Sequence, residues 1–397
     1  MKPIPEATGA AAEPASRLPT GGLLCVVGAR PNFMKMAPIL HALREIAPDL
    51  PVALIHTGQH YGSDMQATFF DELAMPVPDL DLAIGSASHG VQTGTLMVRF
   101  EPVVDAVRPA AVVVVGDVNS TLACALVAAK RNIPVVHVEA GLRSRDRSMP
   151  EEINRVLTDQ LASMHFTTER SARDNLLAEG VPDAGIHFVG NVMIDTLHRH
   201  RKSAQAPAAT LARYGLAAGA VANPAGFALV TLHRPSNVDD PVRLADLLGT
   251  LAAVSERLPV VFPLHPRTRA ALSGHVVPRG RTHPLVTLPA VGYLEALGLM
   301  ARARVVLTDS GGMQEETTAL GVPCLTLRTS TERPITVAEG TNTLTGPERG
   351  DILEALDHTL ATGGKAGRLP ECWDGRAGER IARILVDRYA GAGALPA

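Results

Sequence analysis

Short runs of apolar residues alternate with longer amphipathic stretches along most of the chain. In the first half these runs show no alternation of apolar and polar side chains, and a stretch of helical length follows most of them. Apolar strands joined by helices are typical of a parallel sheet that is covered on both faces. The pattern predicts strands at residues 23–28, 52–56, 111–116, 134–139, 165–168 and 186–190.

The alternation of apolar runs and amphipathic stretches stops in the middle of the chain and then begins again. Residues 203–225 are rich in alanine, glycine and proline, which is typical of a junction between domains. Since 397 residues exceed what one hydrophobic core usually organises, we expect an α/β fold of two Rossmann-like parallel-sheet domains, 23–203 and 204–374. The strands of the second domain are predicted at residues 227–233, 259–265, 285–289, 303–310 and 323–327.

Both ends of the chain are predicted to lie outside these two domains. Residues 1–22 are rich in proline, alanine and glycine and lack an apolar core segment, so we expect a flexible tail and not a signal peptide. Residues 375–397 include an amphipathic stretch at about 375–390. It predicts a last helix that packs back across the junction.

Composition narrows the class of protein. The hydrophobic fraction of 46% is typical of a globular chain, and a net charge of −3 disfavours a general nucleic-acid binder. No apolar run approaches the roughly 18 residues of a membrane span. Since the four cysteines lack metal-site spacing, we expect buried free thiols in a cytoplasmic protein without a metal site. These cysteines are Cys25, Cys124, Cys324 and Cys372.

Polar residues cluster where the predicted strands end. In open parallel sheets ligands bind beyond the carboxyl ends of the strands, so these residues are candidates for a binding site. A single one of them is more often a turn residue or a helix cap, but so many at the same edge favour a site. They are Arg30, His56, His60, Asp117, Glu139, His233, His265 and Asp309.

The stretch "TDSGGMQEE" at 308–316 is the most informative of these strand ends. Ser310 is a suitable N-cap, and Gly311 and Gly312 allow a ligand to approach the backbone closely. The free N–H groups of a helix that begins here favour phosphate. A carboxylate at Glu315 or Glu316 is suited to accept hydrogen bonds from ribose hydroxyls. The alternative is an ordinary cap whose glutamates complement the helix dipole.

Three basic residues accompany the predicted phosphate site. Arg30 and Lys35 flank the start of the first helix, where a cation opposes the helix dipole unless an anion shares the site. Arg333, in "TERP", is expected near the same phosphates. The alternative for each of them is ordinary surface charge.

Residues 135–155, "VVHVEAGLRSRDRSMPEEINR", combine a strand with four carboxylates and four arginines. Glu139 ends the strand, Asp117 ends the neighbouring one, and Glu151 and Glu152 open a helix. Carboxylates that lie close together shift one another's pKa values, which prepares donors and acceptors of protons. Arg143 is expected to hold this anionic cluster together or to bind substrate. We expect Glu152 only to cap its helix.

Two common nucleotide-binding motifs are absent. The first strand is followed by "GARPNF" where a nicotinamide enzyme would have G-x-G-x-x-G. The sequence also lacks the G-x-x-x-x-G-K-[ST] of a P-loop ATPase.

The motifs together resemble the non-hydrolysing UDP-N-acetylglucosamine 2-epimerases over about residues 23–350. The resemblance implies a GT-B-like fold, UDP in a cleft between two facing domains, no cofactor and a homodimer. It also implies a role in cell-surface polysaccharide biosynthesis. The motifs occur in the family's order: "ARPNFMKMAPIL", "TGQH", "GDVNSTLA", "HVEAGLRS", "MPEEINR", "TLHRPSNVD", "TDSGGMQEE" and "TERPITVAEGTNTLTG".

The resemblance also implies roles for individual residues. Acid–base roles fall on Asp117, Glu139, Glu151 and His233. Contacts with the substrate fall on Arg30, Lys35, Arg143, His265, Ser310, Gly311, Gly312, Glu316 and Arg333. Two positions depart from the family pattern. Val91 stands where members activated by substrate carry an arginine, and Ala296 stands where an aromatic residue often lies near the uracil.

The implied reaction is reversible C2 epimerisation of UDP-N-acetylglucosamine to UDP-N-acetylmannosamine. It proceeds in the family by elimination of UDP to 2-acetamidoglucal, followed by re-addition. The alternatives are an epimerase of a modified UDP-sugar such as a diacetamido uronic acid, and a hydrolysing epimerase that releases N-acetylmannosamine. A glycosyltransferase of GT-B fold and a catalytically silent nucleotide-sugar sensor are alternatives from other classes.

Overall fold

The computed structural model of the protein describes residues 15–58, 72–273 and 276–390. The chain divides into two units. The N-terminal unit contains the residues up to Thr196 and those from Glu371 onward, and the C-terminal unit is Leu197–Pro370.

The N-terminal unit is organised around a sheet in which the described strands number seven and all pair in parallel. The strands are β1 (Leu23–Val27), β2 (Val52–His56), β3 (Leu80–Asp81), β4 (Ala111–Val115), β5 (Val135–Val138), β6 (Met164–Thr167) and β7 (Ile186–Phe188). Their order in the sheet is β3-β2-β1-β4-β5-β6-β7.

Helices follow the strands of this sheet. Every residue of β1, β4 and β5 is buried, which explains why these strands are apolar without alternation. The helices of this part are α1 (Arg30–Ile46), α2 (His89–Val107), α3 (Asn119–Lys130), α4 (Pro150–Leu161), α5 (Arg170–Ala178) and α6 (Val192–His200), the last of which crosses the boundary between the units.

The C-terminal unit repeats the architecture with six described strands, again all parallel. The strands are β8 (Ala228–Thr231), β9 (Val260–Pro263), β10 (Leu285–Leu288), β11 (Val305–Thr308), β12 (Cys324–Thr326) and β13 (Asn342–Leu344), in the order β10-β9-β8-β11-β12-β13. The helices are α7 (Pro207–Arg213), α8 (Pro235–Val238), α9 (Pro241–Val254), α10 (Pro266–Ala271), α11 (Tyr293–Arg302), α12 (Gly311–Leu320), α13 (Pro334–Ala338) and α14 (Arg349–Thr362).

The predicted class of two parallel-sheet α/β domains is confirmed. Each predicted strand is present within a few residues of its expected bounds, and β3 and β13 are additional. The chain passes from one unit to the next after Thr196, inside α6. Residues 203–225, which we expected at the junction, belong to the C-terminal unit, where Gln205 N donates to Leu294 O at 3.0 Å.

The last described helix, α15 (Ala377–Tyr389), belongs to the N-terminal unit. It packs so closely on α1 that a Cβ on Gly378 would lie 2.9 Å from the carbonyl of Pro38. Asp195 of α6 accepts hydrogen bonds from Ala377 N at 3.1 Å and Gly378 N at 2.6 Å. Trp373 is buried and donates from Nε1 to Thr168 O. The described residues from Glu371 onward thus complete the N-terminal unit.

Two residues of the expected N-terminal tail belong to the hydrophobic core. Ala15 and Leu18 are buried in the core of the N-terminal unit, whereas residues 16, 17, 19 and 20 are exposed. Residues 1–14 lie outside the described residues. Among the described residues, no helix combines the length and the apolar character of a membrane span.

The four cysteines are free thiols, as predicted. Three of them are buried, and burial raises the pKa of Cys25 to about 12 and that of Cys324 to about 11. Cys372 is only partly buried. Thiols with raised pKa values are poor nucleophiles, so the buried three act as small core residues.

Candidate active site

Strands β4 and β5 are neighbours, and each is followed by a candidate acid–base residue. Val115 pairs in register with Val138, so the two strands end at the same edge of the sheet. Asp117 follows β4 after one glycine, and Glu139 follows β5 directly. The strand register therefore places both carboxylates at one edge, as predicted from the sequence.

Glu139 forms a buried ion pair with Lys35 of α1. Its Oε1 lies 2.7 Å from Lys35 Nζ, and the two side chains are 2% and 8% exposed. Glu139 has φ of +69°, in the left-handed region that favours glycine. Gly116 has φ of +65°, and a Cβ there would lie 3.0 Å from Lys35 Nζ. The positive φ values of Glu139 and Gly116 and the missing Cβ of Gly116 thus make room for this ion pair.

Asp117 is paired with a different cation. Arg155 of α4 donates from Nη2 to Asp117 Oδ2 and from Nη1 to Glu152 Oε2, the latter at 2.7 Å. Asn154 donates from Nδ2 to the main-chain oxygen of Asp117 at 2.9 Å. Two neighbouring residues of α4 therefore hold the side chain and the backbone of Asp117.

Glu152 does not cap its own helix, so that prediction is wrong. Its carboxylate accepts hydrogen bonds from Ser144 N at 2.9 Å, Ser144 Oγ at 3.0 Å and Arg145 N at 2.9 Å. It is buried beneath the loop between β5 and α4, where main-chain donors need an acceptor. Glu151, the second residue of α4, is half-buried.

Arg143 lies among carboxylates of its own unit. It donates to Glu179 from Nε at 2.8 Å and from Nη2 at 2.6 Å, and Nη2 lies 2.7 Å from Asp159 Oδ2. Nη1 donates to Leu142 O at 2.7 Å. Most of its donors are thus engaged inside the protein, so the geometry favours the expected role of holding the cluster together over the contact with substrate.

Asp159 and His137 form a second buried pair under the site. His137 Nδ1 lies 2.6 Å from Asp159 Oδ1, and Nε2 lies 2.8 Å from Gly116 O. Burial acts to raise the pKa of Asp159, but His137 and Arg143 outweigh it and keep that pKa below its ordinary value. The pair supports the backbone at Gly116, directly before Asp117.

The loop between β1 and α1 is fixed by Asn32. Its Oδ1 accepts from Gly28 N at 3.1 Å and Ala29 N at 3.0 Å, and its Nδ2 donates to Val115 O at 2.9 Å. Asn32 thereby joins the start of α1 to the end of β4. Arg30 is the first residue of α1, and its side chain lies outside the described residues, as does His60.

In the C-terminal unit, the predicted phosphate site lies at the start of α12. Ser310 occupies the N-cap position without a side-chain cap hydrogen bond, and Gly311 is the first helical residue. A Cβ on Gly311 would lie 2.6 Å from Glu332 Oε1, so a larger residue would displace its surroundings. The main-chain N–H groups of a helix of 10 residues begin here, which suits an anion.

The two glutamates of α12 have different partners. Glu315 Oε1 lies 2.7 Å from Arg333 Nε, and both residues are buried. Glu316 Oε1 accepts a hydrogen bond from Tyr293 Oη at 3.0 Å, and Tyr293 is buried at the start of α11. Glu315 thus anchors Arg333, whereas Tyr293 orients the carboxylate of Glu316.

His233 is held by Asp309. The Nδ1 of His233 lies 3.1 Å from Asp309 Oδ1, and the main-chain N of His233 donates to the same carboxylate. Asp309 also accepts from Arg234 N and Asn237 Nδ2. Burial acts to raise the pKa of Asp309, but hydrogen bonds from His233 and these partners outweigh it, so its pKa is lowered. An ionised Asp309 therefore fixes the orientation of the His233 ring.

His265 lies beside His233. Their ring centroids are 5.2 Å apart. His265 is the N-cap of α10, and its Nδ1 accepts a hydrogen bond from Arg267 N at 3.2 Å. Since Nδ1 is the acceptor, Nε2 carries the proton of the neutral ring.

Comparison with known proteins identifies the family. A family model described as UDP-N-acetylglucosamine 2-epimerase matches residues 42–386. The UDP-N-acetylglucosamine 2-epimerase of Methanocaldococcus jannaschii is 41% identical over 368 residues, which cover 92% of this chain and 98% of the relative. The chain belongs to the UDP-N-acetylglucosamine 2-epimerase family. It is therefore an epimerase.

Solved structures in this epimerase family share the fold. The M. jannaschii UDP-GlcNAc 2-epimerase in complex with UDP-GlcNAc and UDP has a TM-score of 0.83 at 40% identity, covering 92% of this chain and 99% of that one. The UDP-GlcNAc 2-epimerase of Neisseria meningitidis bound to UDP-GlcNAc has a TM-score of 0.81 at 28% identity, covering 92% and 100%. The GT-B-like fold class predicted from the sequence is confirmed.

One relative in this family acts on a different sugar. The UDP-2,3-diacetamido-2,3-dideoxy-D-glucuronate 2-epimerase of Pseudomonas aeruginosa is 41% identical over 368 residues, which cover 92% of this chain and 99% of the relative. Its identity equals that of the M. jannaschii enzyme. Overall similarity therefore does not distinguish between the two sugars.

Several residues that support the candidate site were not among the predicted site residues. Through hydrogen bonds they hold the predicted residues, the main chain near them or one another, and each is buried. The sequence feature that could have revealed them is a polar residue inside an apolar or helical stretch. These residues are Asn32, His137, Glu152, Asn154, Arg155, Asp159 and Tyr293.

Proposed function

We propose that the enzyme interconverts UDP-N-acetylglucosamine and UDP-N-acetylmannosamine by elimination and re-addition of UDP. The observation that supports this proposal is the pair of carboxylates at the ends of β4 and β5, each with a buried cation beside it. Lys35 accompanies Glu139, and Arg155 accompanies Asp117. A cation beside each carboxylate fixes its orientation through a charge-assisted hydrogen bond, as a group that transfers a proton at C2 requires.

Proton transfer at C2 is assigned to the N-terminal unit. In the elimination, a carboxylate takes the C2 proton, the C1–O bond breaks, and its electron pair leaves with UDP to give 2-acetamidoglucal. In the re-addition, a UDP oxygen adds to C1 while a protonated group on the opposite face of the sugar gives its proton to C2. Inversion thus needs one group for each face. We assign these tasks to Asp117 and Glu139, with Glu151 assisting at the start of α4.

Stabilisation of the leaving diphosphate is assigned to the C-terminal unit. The start of α12 at Ser310, Gly311 and Gly312 offers main-chain N–H groups to the charge that develops on UDP. Glu316, oriented by Tyr293, would accept hydrogen bonds from ribose. Arg333 is held by Glu315 near the same helix, and Arg30 is assigned to the substrate from its position alone.

His233 and His265 are assigned to the same end of the C-terminal unit. Asp309 accepts from Nδ1 of His233, so Nε2 is the ring nitrogen available for proton transfer or for a hydrogen bond to the leaving oxygen. His265, with Nε2 as its donor, is assigned to the diphosphate.

Incubation with UDP-N-acetylglucosamine in D₂O, followed by NMR, tests the reaction. The expected result is the appearance of UDP-N-acetylmannosamine with deuterium at C2 of both epimers. Free N-acetylmannosamine and UDP would instead identify a hydrolysing epimerase. No exchange at C2 with this or any other tested UDP-N-acetylhexosamine would contradict the proposal.

The substrate of the P. aeruginosa relative is the second candidate, because that enzyme is as similar as the M. jannaschii one. UDP-2,3-diacetamido-2,3-dideoxy-D-glucuronate is therefore assayed in parallel. A kcat/KM at least about tenfold higher for this sugar would assign the enzyme to the uronate. Tenfold corresponds to about 1.4 kcal/mol of transition-state binding, which one altered contact can supply.

A further inference from the structure

Helix α4 carries polar side chains on its buried face. Glu152, Asn154 and Arg155 are buried, whereas Ile153 and Leu157 are 40% and 46% exposed. A surface helix usually has the opposite arrangement, because burial of polar groups costs free energy unless they are hydrogen-bonded. The buried polar residues of α4 form hydrogen bonds with the loops after β4 and β5, and these bonds offset the cost of their burial.

Arg155 is the centre of this arrangement. Its side chain is 4% exposed and its two terminal nitrogens contact two different carboxylates, Glu152 from Nη1 and Asp117 from Nη2. Glu152 is itself fixed by the main chain of Ser144 and Arg145. The Asp117 side chain is 21% exposed, so the chain of contacts runs from the protein interior to a carboxylate that reaches solvent.

The planar guanidinium explains why an arginine occupies this position. Its fork presents two donors in fixed geometry, so fixing one of them on Glu152 also fixes the other. It also stays charged throughout the physiological pH range. A lysine supplies the charge but cannot hold both carboxylates in the same planar geometry.

We infer that Arg155, anchored by Glu152, is a positioning residue that sets the orientation of Asp117 for proton transfer. The inference rests on the proposed function, in which Asp117 exchanges a proton with C2 of the sugar. Arg155 acts through Asp117 and need not touch the substrate.

The first test compares Arg155→Lys and Arg155→Met in the C2 exchange assay. We expect kcat to fall on the order of 10-fold for the lysine variant and 100-fold for the methionine variant, the range of a mispositioned acid–base group, with KM within about threefold. Arg131→Met, which removes an arginine from an exposed ion pair at the end of α3, is the control and should leave kcat unchanged.

The second test needs no substrate. Urea midpoints are measured for the wild type, Arg155→Met, Asp117→Asn and the double variant. If the two side chains act as a pair, Arg155→Met should lower the midpoint less in the Asp117→Asn background than in the wild type. Equal shifts in both backgrounds would contradict the inference. Should Arg155→Met fail to fold, Arg155→Lys takes its place in both tests.

The two tests separate failure of the inference from failure of the proposed function. A wild type without C2 exchange on any UDP-N-acetylhexosamine contradicts the proposed function, and the urea midpoints still decide whether Arg155 is coupled to Asp117. A wild type with normal exchange, accompanied by wild-type kcat in both Arg155 variants, overturns the inference.

Discussion

Lys35 Nζ lies 2.7 Å from Glu139 Oε1, and both side chains are almost completely buried. The lysine comes from the first helix and the glutamate from the end of β5, 104 residues later. The pair joins α1 to the edge of the sheet at which the acid–base residues lie. A charge in such a position depends on its partner, because water does not compensate for the loss of either.

Removal of the lysine should therefore cost stability as well as activity. Lys35→Met leaves the Glu139 carboxylate buried without its cation, and we expect the free energy of unfolding to fall by about 3–5 kcal/mol. The double variant Lys35→Met/Glu139→Gln should recover part of this loss, because no charge is then buried. Urea denaturation measures both effects.

The control for this prediction is Lys130→Met at the exposed end of α3. It should change the free energy of unfolding by no more than about 0.5 kcal/mol. If Lys35→Met cost no more than this control, the pair would contribute nothing to stability.

Asp309→Asn should impair His233. The asparagine cannot accept all the hydrogen bonds from His233, Arg234 and Asn237, so the imidazole loses its fixed orientation. We expect kcat to fall on the order of 10²-fold, the contribution of a positioned acid–base group. Steady-state kinetics of C2 epimerisation measures the effect. Asp240→Asn is the matched control, since Asp240 also accepts from main-chain N–H groups as the N-cap of α9, where asparagine caps equally well.

Asp309 should also make stability depend on pH. Its pKa is lowered in the folded protein, so it contributes stability above the ordinary pKa of an aspartate, about 4, and this contribution is lost as pH falls. The difference in unfolding free energy between wild type and Asp309→Asn should therefore shrink below about pH 4. A difference that stays constant between pH 7 and pH 3 would contradict the lowered pKa.

Asp195 should have the opposite dependence. Burial raises its pKa to about 6, although Ala377 and Gly378 donate hydrogen bonds that act to lower it. A carboxyl with a raised pKa in the folded state contributes stability that is present below the ordinary pKa and is lost as pH rises through about 6. The shift amounts to on the order of 3 kcal/mol. Thermal midpoints of wild type and Asp195→Asn between pH 4 and pH 8 measure it, and parallel curves would contradict the raised pKa.

Gly311→Ala should weaken binding of UDP. The added Cβ would lie 2.6 Å from Glu332 Oε1, so Glu332 or the start of α12 must shift. We expect the Kd for UDP to rise at least about tenfold, because main-chain N–H groups bind phosphate only at close approach. Isothermal titration calorimetry measures the change.

The matched control is Gly249→Ala in helix α9. A Cβ there meets nothing within 4 Å, and alanine is the better helix former. This variant should keep the wild-type Kd and gain about 0.5–1 kcal/mol of stability. An equal change in Kd for both variants would argue against a nucleotide site at α12.

The apolar pattern was sufficient to predict the fold but not all of its strands. The predicted strands succeeded because parallel strands buried on both faces must be apolar, as β4 is throughout. Two strands, β3 and β13, lack an apolar run long enough to predict them. β3 has only two residues, and β13 begins with Asn342, a polar residue that is buried because Thr326, Thr336 and Gln314 bond to it. Partners of that kind come from elsewhere in the chain and leave no local pattern.

The candidate site shows the same limit. The sequence predicted which carboxylates follow the strands, since that depends only on strand ends. It did not predict that Arg143 would be engaged by Glu179 and Asp159, because this requires knowing that α4 and α5 approach the same loop. For Glu152, a position at a helix start suggested a cap. Its hydrogen-bond partners lie seven and eight residues earlier, in a loop. The periodicity of apolar residues does not predict the path of a loop.

Helix α15 has a consequence for biosynthesis. The ribosome makes Trp373 and α15 only after the whole of the C-terminal unit, yet both belong to the N-terminal unit. Until then, the face of α1 around Pro38 lacks its covering helix, and the Asp195 carboxylate lacks the N–H groups of Ala377 and Gly378. The N-terminal unit therefore cannot finish folding first, as domains made first usually do. These packing and hydrogen-bond partners of the N-terminal unit are absent until synthesis has passed Gly378.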